Sequence, residues 1–246
     1  MRTVRLASHV HSDWSYDGQW TLARISAAFG RRGYDAVLMA EHDRGFDANR
    51  WAQYRTACAA VGGTGAMLIP GIEYSDPTNS VHIPVWGDIP FLGESRDTAE
   101  LLADVERVGG LAVLAHPGRR DVWKQFDPSL LRFLFGVELW NRKYDGYAPS
   151  REAMSLIEQR AGIVPVVSLD FHTGRQFHPL AMMAALDGDI GEGSICGAIR
   201  QRRLRPKAFR LRATMFSSDP AWSALRRVEW TRKRAAKHVK RLIRSS

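Results

Sequence analysis

Short apolar, β-branched runs recur along this chain, and most of them end in a histidine or an acidic residue. The runs are Thr3–Ser8, Ala36–Ala40, Met67–Ile72, Val81–Trp86, Leu111–Ala115, Gly136–Leu139 and Ile163–Ser168, with a last candidate at Ala208–Leu211. Segments of helical period lie between them, at Leu22–Arg31, Asn49–Val61, Thr98–Val108, Pro149–Arg160 and Ser194–Arg203. This alternation predicts βα units around a parallel sheet or barrel. At 246 residues the chain suits one barrel-sized domain better than two with separate cores. No internal repeat or low-complexity linker interrupts the order.

The residues at the run ends carry the chemistry. The first run leads into His9-Val10-His11, and alternation along a strand points both imidazoles to one side. An H-x-H pair alone is weak evidence, because polar or packed histidines account for most such pairs. The wider distribution decides. The second run ends in Glu41-His42-Asp43, the third in Gly71-Ile72-Glu73, and the fourth carries His82. The fifth ends in Ala115-His116-Pro117 and the seventh in Asp170-Phe171-His172, so six of the eight histidines lie at or near strand ends. In a parallel barrel the carboxyl ends of the strands open on one face, where imidazole and carboxylate suit Zn, Mn or Fe. Burying so many titratable groups without a cation is costly, whereas a metal cluster satisfies them together.

Composition bounds the remaining classes. With 45% hydrophobic and 25% charged residues the chain is ordinary globular protein. No apolar run approaches the roughly 20 residues that cross a bilayer, and the start, Met1 to Leu6, turns polar too soon for a signal peptide, so a cytoplasmic location is expected. Cys58 and Cys196 share no paired spacing, which argues against a disulfide framework or a thiolate zinc site. Charge is uneven: residues 200–246 hold 16 Lys/Arg and 2 Asp/Glu, leaving the tail at +14 and the body at −5. Trp222, Leu225, Val228, Ala235, Val239 and Leu242 recur at helical steps, broken by Arg232, and predict an amphipathic basic helix beyond about Thr214. Docking of its first half on the body is the ordinary reading; contact with nucleic acid or an anionic surface is the alternative.

Taken in order, His9-Val10-His11-Ser12 with Ser15-Tyr16-Asp17-Gly18, Glu41-His42-Asp43, Gly71-Ile72-Glu73, His82, Ala115-His116-Pro117 and Leu169-Asp170-Phe171-His172 resemble the motifs of the PHP (polymerase and histidinol phosphatase) family. The likeness spans residues 1–213, including a closing Ala198–Arg203 segment, and leaves residues 214–246 as a basic helical extension. It implies a distorted (β/α)7 TIM-like barrel with two or three divalent metal ions (Zn, Mn or Fe) and hydrolysis of phosphoesters. By the same likeness, His9, His11, Glu73 and Asp170 hold one metal, and Glu73 bridges to a second held with His82 and His116. Asp17, His42 and His172 hold the third. Two departures fall beside ligands: Ala40-Glu41-His42 stands where the family often has Thr-Asp-His, and Leu169 stands before Asp170 where Ser is frequent.

Bridging metals supply hydroxide from bound water at neutral pH and neutralise the phosphoryl oxygens during in-line attack. Arg119, Arg142, Lys143 and Arg175 follow strand ends and are candidates for the phosphate clamp, against a plain surface role. Asp13 and Asp43 adjoin ligands and are candidates to orient an imidazole or protonate a leaving group. Glu138 and Asn141 are expected to hydrogen-bond in the pocket rather than bind metal. The expected partners are a phosphorylated small molecule or nucleotide at the site and nucleic acid at the tail. Two rivals stay open: an amidohydrolase-type hydrolase, and a metal-stabilised nucleic-acid-binding module without catalysis.

Overall fold

A computed structural model describes residues 1–61, 63, 65–208, 211–212 and 220–244, with the side chains of 211–212, 220–222 and 236–244 outside the description. The alternation holds through most of the chain. β1 (Arg2–Val10) is followed by α1 (Leu22–Gly30), β2 (Ala36–Met39), β3 (Glu41–His42) and α2 (Ala48–Ala60). Next come β4 (Met67–Ile69), β5 (Gly71–Ser75), β6 (His82–Trp86), α3 (Thr98–Arg107) and β7 (Leu111–Leu114). A single turn α4 (Val122–Gln125) precedes β8 (Leu134–Asn141), α5 (Arg151–Glu158) and β9 (Val164–Ser168). The chain closes with β10 (Leu180–Leu186), α6 (Glu192–Arg200), β11 (Leu204–Ala208), β12 (Leu211–Arg212) and α7 (Pro220–Arg244).

Helix starts follow capping chemistry. The side chains of Thr21, Asp47, Asp97 and Ser150 each accept a backbone N–H from the first turn that follows, satisfying donors the helix itself leaves free. In α1, Leu22, Ile25 and Phe29 form the buried stripe; in α3 it is Leu101, Leu102 and Val105. Both lie in one continuous core with Tyr54, Trp140 and Phe171.

The strands form two six-stranded mixed sheets, ordered β12-β11-β10-β1-β2-β4 and β3-β5-β6-β7-β8-β9. A closed ring of parallel strands is not among the pairings of the described residues. β6 runs antiparallel to both β5 and β7, and β10 antiparallel to β1 and β11. The sheets are nevertheless joined. β2 passes into β3 across Ala40 and β4 into β5 across Pro70, while Leu169 N–H donates to Ser8 O (3.1 Å) and Phe171 N–H to His9 O (3.0 Å). Because β6 is antiparallel to β5, with Ser75 opposite His82, the start of β6 lies at the same edge as the end of β5. That is why His82 opens its strand while the other histidines close theirs.

The pairing missed from the sequence is β10. Its Leu-Ala-Met-Met-Ala-Ala-Leu has the residue types of a helix, yet it lies between β1 and β11, where burial of most of its residues outweighs weak strand propensity. The expected strand at Ala208–Leu211 is the end of β11 and the start of β12, with 209–210 outside the described residues.

Gly71, where β5 begins, is packed without space. A Cβ there would overlap the Met39 carbonyl and the Trp86 ring, whose Nε1–H donates to that same carbonyl (2.6 Å). Gly71→Ala is therefore expected to destabilise the fold by about 1–3 kcal/mol, read as a lower midpoint in chemical denaturation; an unchanged midpoint would show that β5 has room to shift.

Candidate metal centre

β1 carries a bulge between Ser8 and Val10, and His9 there has a left-handed backbone (φ 62°). The bulge leaves Val10 in the core and brings the His9 and His11 rings to 5.0 Å. His116 (φ 29°) and Asp170 (φ 46°), just past the ends of β7 and β9, share the left-handed region. Such backbones cost about 1–3 kcal/mol each in non-glycine residues and gather at functional sites. Three of the nine candidate ligands are held this way.

Glu73, on β5 and 1% exposed, is the centre of the cluster. Its Oε1 lies 3.1 Å from His9 Nε2, 3.0 Å from His82 Nδ1 and 3.2 Å from His116 Nε2. Its Oε2 lies 3.2 Å from His42 Nδ1 and 3.6 Å from His11 Nε2. Asp170 faces the same space, 3.7 Å from both His11 and His116. Asp17 reaches His42 at 3.3 Å and His172 at 3.0 Å. All nine expected ligands thus meet at one place. Grouped by distance, His11, Asp17, His42 and His172 form one donor set; His9, His11 and Asp170 a second; His9, Glu73 and His116 a third, each with donor atoms within 4.8 Å. The partition differs from the expected one: His9 and His11 are each shared, and His82 stands beside Glu73 but outside these sets.

The hydrogen bonds behind the cluster settle which ring nitrogens face inward. His9 Nδ1–H donates to Glu138 Oε1 (2.7 Å), which turns Nε2 toward the Glu73 carboxylate. His172 Nδ1–H donates to the Asp170 carbonyl (3.0 Å), turning its Nε2 toward Asp17. Two acceptors 3 Å apart repel unless a proton or a cation lies between them. Consistent with that, His9 Nε2, His11 Nε2, His42 Nε2, Asp17 Oδ1 and Asp170 Oδ2 are buried and make no hydrogen bond, although each lies within ion-pair range of another candidate ligand. Ligands each about 2.1 Å from a shared ion sit roughly 3–3.5 Å apart, and the pairs here lie 3.0–3.7 Å apart. The donor set therefore fits divalent metal.

Electrostatics agree with the geometry. Burial alone would raise the Glu73 carboxyl, but the surrounding imidazoles hold it well below the usual range. Burial, with His42 and His172 alongside, pushes His11 well down, and burial lowers His116, so both are neutral and ready to donate a lone pair. Against the same burial, Asp17 and Glu73 push His42 up to about 10, and Glu73, Glu138 and Asp170 raise His9. On these two rings a metal must displace a proton.

The other expected residues divide. Arg119 stands at the rim, donating to the carbonyls of Asn79 (2.8 Å) and Ser80 (3.2 Å), beside His82 and over the Tyr144 ring. Asp43 is buried and accepts the backbone N–H groups of Ser75 (3.3 Å) and Ser95 (2.9 Å), so it ties two loops together. Asp13 and Arg175 are exposed, and neither side chain makes a hydrogen bond or ion pair among the described residues. Lys143, one of the clamp candidates, reaches Asp170 Oδ1 (3.1 Å) and His172 (3.3 Å) while keeping 32% of its side chain exposed.

Glu41 has a part in the site that its sequence motif leaves unassigned. Fully buried, its carboxylate accepts from Ser12 N–H (3.0 Å), Ser12 Oγ–H (2.6 Å), Ser15 Oγ–H (2.5 Å) and Tyr54 OH (3.3 Å), pinning the loop that carries Asp17. The signal was present as a carboxylate next to His42 with two serines in the preceding motif. Glu138 was expected to hydrogen-bond, and it does so with His9, the His116 N–H (2.8 Å) and Asn141 Nδ2 (2.7 Å). Glu138→Gln is expected to weaken metal binding about 10–100-fold with little change in fold, measured by competition with a chromogenic chelator; unchanged affinity would separate Glu138 from ligand orientation.

Fold and site together define an α/β protein with a buried His/Asp/Glu centre of the kind that holds divalent metal. No protein-family model matches the sequence, and no curated protein matches it. Solved structures do match. PsfC from Pseudomonas syringae PB-5123 is similar with a TM-score of 0.64 at 16% identity, over 93% of this chain and 98% of that one. The lesion-specific endonuclease PfuEndoQ from Pyrococcus furiosus is similar with a TM-score of 0.56 at 15% identity, over 81% of this chain and 56% of that one. At these identities the likeness is one of fold. Among the described residues, no helix is long and apolar enough to cross a membrane.

Proposed function

We propose that this chain is a metal-dependent hydrolase of phosphoesters, built as a PHP-type domain over residues 1–213 with a basic extension over 214–246. The fold reading that accompanies it is a distorted (β/α)7 barrel ringed by β1, β2–β3, β4–β5, β6, β7, β8 and β9, which the hydrogen bonds between Ser8–His9 and Leu169–Phe171 support. One observation carries the functional reading: Glu73 lies within 3.6 Å of five imidazoles whose outward nitrogens are already committed in the case of His9.

Two or three divalent ions (Zn, Mn or Fe) bound to His9, His11, Asp17, His42, Glu73, His82, His116, Asp170 and His172 would supply Lewis acidity and lower the pKa of water. The chain's own residues do the rest. Arg119 and Lys143 place positive charge at the rim where phosphoryl oxygens enter. Lys143 is held protonated, its charge favoured by Asp170 against the pull of burial. Glu138 fixes the His9 ring, and Glu41 fixes the Asp17 loop. Tyr144, packed on His116 at 4.6 Å, and Tyr16, stacked on His42 at 4.9 Å, form apolar walls for the leaving group.

A panel of phosphomonoesters and phosphodiesters, run beside amides and lactones with Mn, Zn or Fe added, tests the reading. Phosphoester turnover that needs metal supports it. Turnover confined to amides or lactones would move the chain to the amidohydrolase class, and none with any substrate would favour a non-catalytic binding module.

A further inference from the structure

Rings and cations alternate in a band from the metal centre to the C-terminal helix, and the helix carries one further ring and cation of its own. At the inner end, Arg119 and Lys143 lie 5.8 and 5.4 Å from the Tyr144 ring, which packs on His116. Beyond it, Tyr147 is flanked by Arg142 at 4.3 Å and by Arg232 of α7 at 5.4 Å. Farther out, on another side of α7 from Arg232, Arg234 lies 5.1 Å from the Trp230 ring. Both outer rings are open, Tyr147 being 41% exposed and Trp230 61%.

The helix is tied to the loop that feeds the site. Lys233 Nζ donates to the Tyr144 carbonyl (2.9 Å). The buried Glu229 carboxylate packs against Gly146, where a Cβ would overlap it and the backbone is left-handed (φ 81°). Arg232 donates to both oxygens of Glu229 (2.7 and 2.6 Å). Glu229 is the only acidic residue among the 25 of α7, against nine Lys and Arg, so the sequence of the helix carries an excess of eight positive charges.

We propose that this band binds single-stranded nucleic acid and leads it to the metal centre. Bases stack on Tyr147 and Trp230, while Arg142 and Arg234 take the phosphates, an arrangement of stacking rings and positive groove that suits unpaired strands. Duplex nucleic acid keeps its base faces covered and offers these rings no partner. A lipid surface requires a continuous apolar face on the helix. Among the described side chains of α7, Leu225 packs against the core, while the exposed Val228 and Trp230 are surrounded by Arg227, Arg232 and Arg234. The binding claim stands on the band alone; the claim that the strand is a substrate rests on the phosphoesterase reading.

The test uses the full chain with chelator present, so that no turnover intervenes, and follows the anisotropy of a fluorescent oligothymidylate. Expected are affinity that falls steeply with salt and about tenfold weaker binding for Trp230→Ala and for Arg234→Glu, each with the parent's thermal midpoint, and recovery with Trp230→Phe. Parent protein that ignores the strand, prefers duplex or binds only anionic vesicles overturns the proposal, as do variants that bind like the parent. The two readings fail separately. A chain that binds the strand and hydrolyses no phosphoester sinks the enzyme and leaves the band; one that hydrolyses esters and binds no strand sinks the band alone.

Discussion

Glu73→Gln is expected to lower metal-dependent phosphoester turnover by about 10³-fold or more, the equivalent of several kcal/mol of lost electrostatic stabilisation at about 1.4 kcal/mol per factor of ten. Five imidazoles converge on this one carboxylate, and no other acidic side chain among the described residues reaches as many of the candidate ligands. Glutamine keeps the volume and removes the charge. In the metal-free chain the same change leaves the raised His9 and His42 rings without their carboxylate, so both should titrate lower, which imidazole NMR reads independently of activity. Parent-like metal content together with parent-like turnover would remove Glu73 from the centre of the site and the functional reading with it.

Withdrawal of metal should have the second largest effect. An ion that binds only the folded chain, present at about a thousand times its dissociation constant, adds about 4 kcal/mol of stability, so chelation should lower the thermal midpoint markedly and added metal should restore it. The effect should depend on pH with a definite sign. His42 titrates at about 10 in the metal-free fold, so at neutral pH its proton must leave before Asp17, His42 and His172 can share an ion. Affinity at that position should therefore rise up to about tenfold per pH unit until pH approaches 10. Seen as stability of the metal-free chain, the raised His42 contributes fully below its ordinary pKa of about 6.5, and that contribution is lost as pH rises through about 10. A melting curve indifferent to chelator would mean that the cluster holds no metal in solution.

The candidate site was far more legible than the sheet that holds it. Metal-type ligands sit at the ends of short apolar runs, and those runs are visible because β-branched residues and helical period alternate in β1 to β9. The convergence of His9, His42, Glu73, His116 and Asp170 follows from that order alone. What stayed hidden is long-range. The reversed direction of β6, which brings the start of that strand and His82 to the ligand edge, is not written in the spacing, and the β10 segment is written in Ala, Met and Leu that favour a helix until packing between two strands overrides them. Asp13 and Arg175 were named for their nearness in sequence to His11 and His172; both are exposed, and neither side chain bonds a candidate ligand among the described residues. Lys143 was a candidate from its place after a strand end, but its pairing with Asp170 is set by the turn after β8, which the sequence does not spell out.

The left-handed backbones of His9, His116 and Asp170 bear on how such a protein ages. While ions are bound, ligation compensates for the conformational penalty at these positions; once a lineage abandons the chemistry, nothing offsets it, and glycine or asparagine at the same places relieves it at once. Drift should therefore reach these three residues before it reaches Glu138 or Glu41, whose own conformations are relaxed. A descendant carrying glycine at two of the three, with the remaining scaffold intact, would be recognisable as a retired copy from its sequence alone.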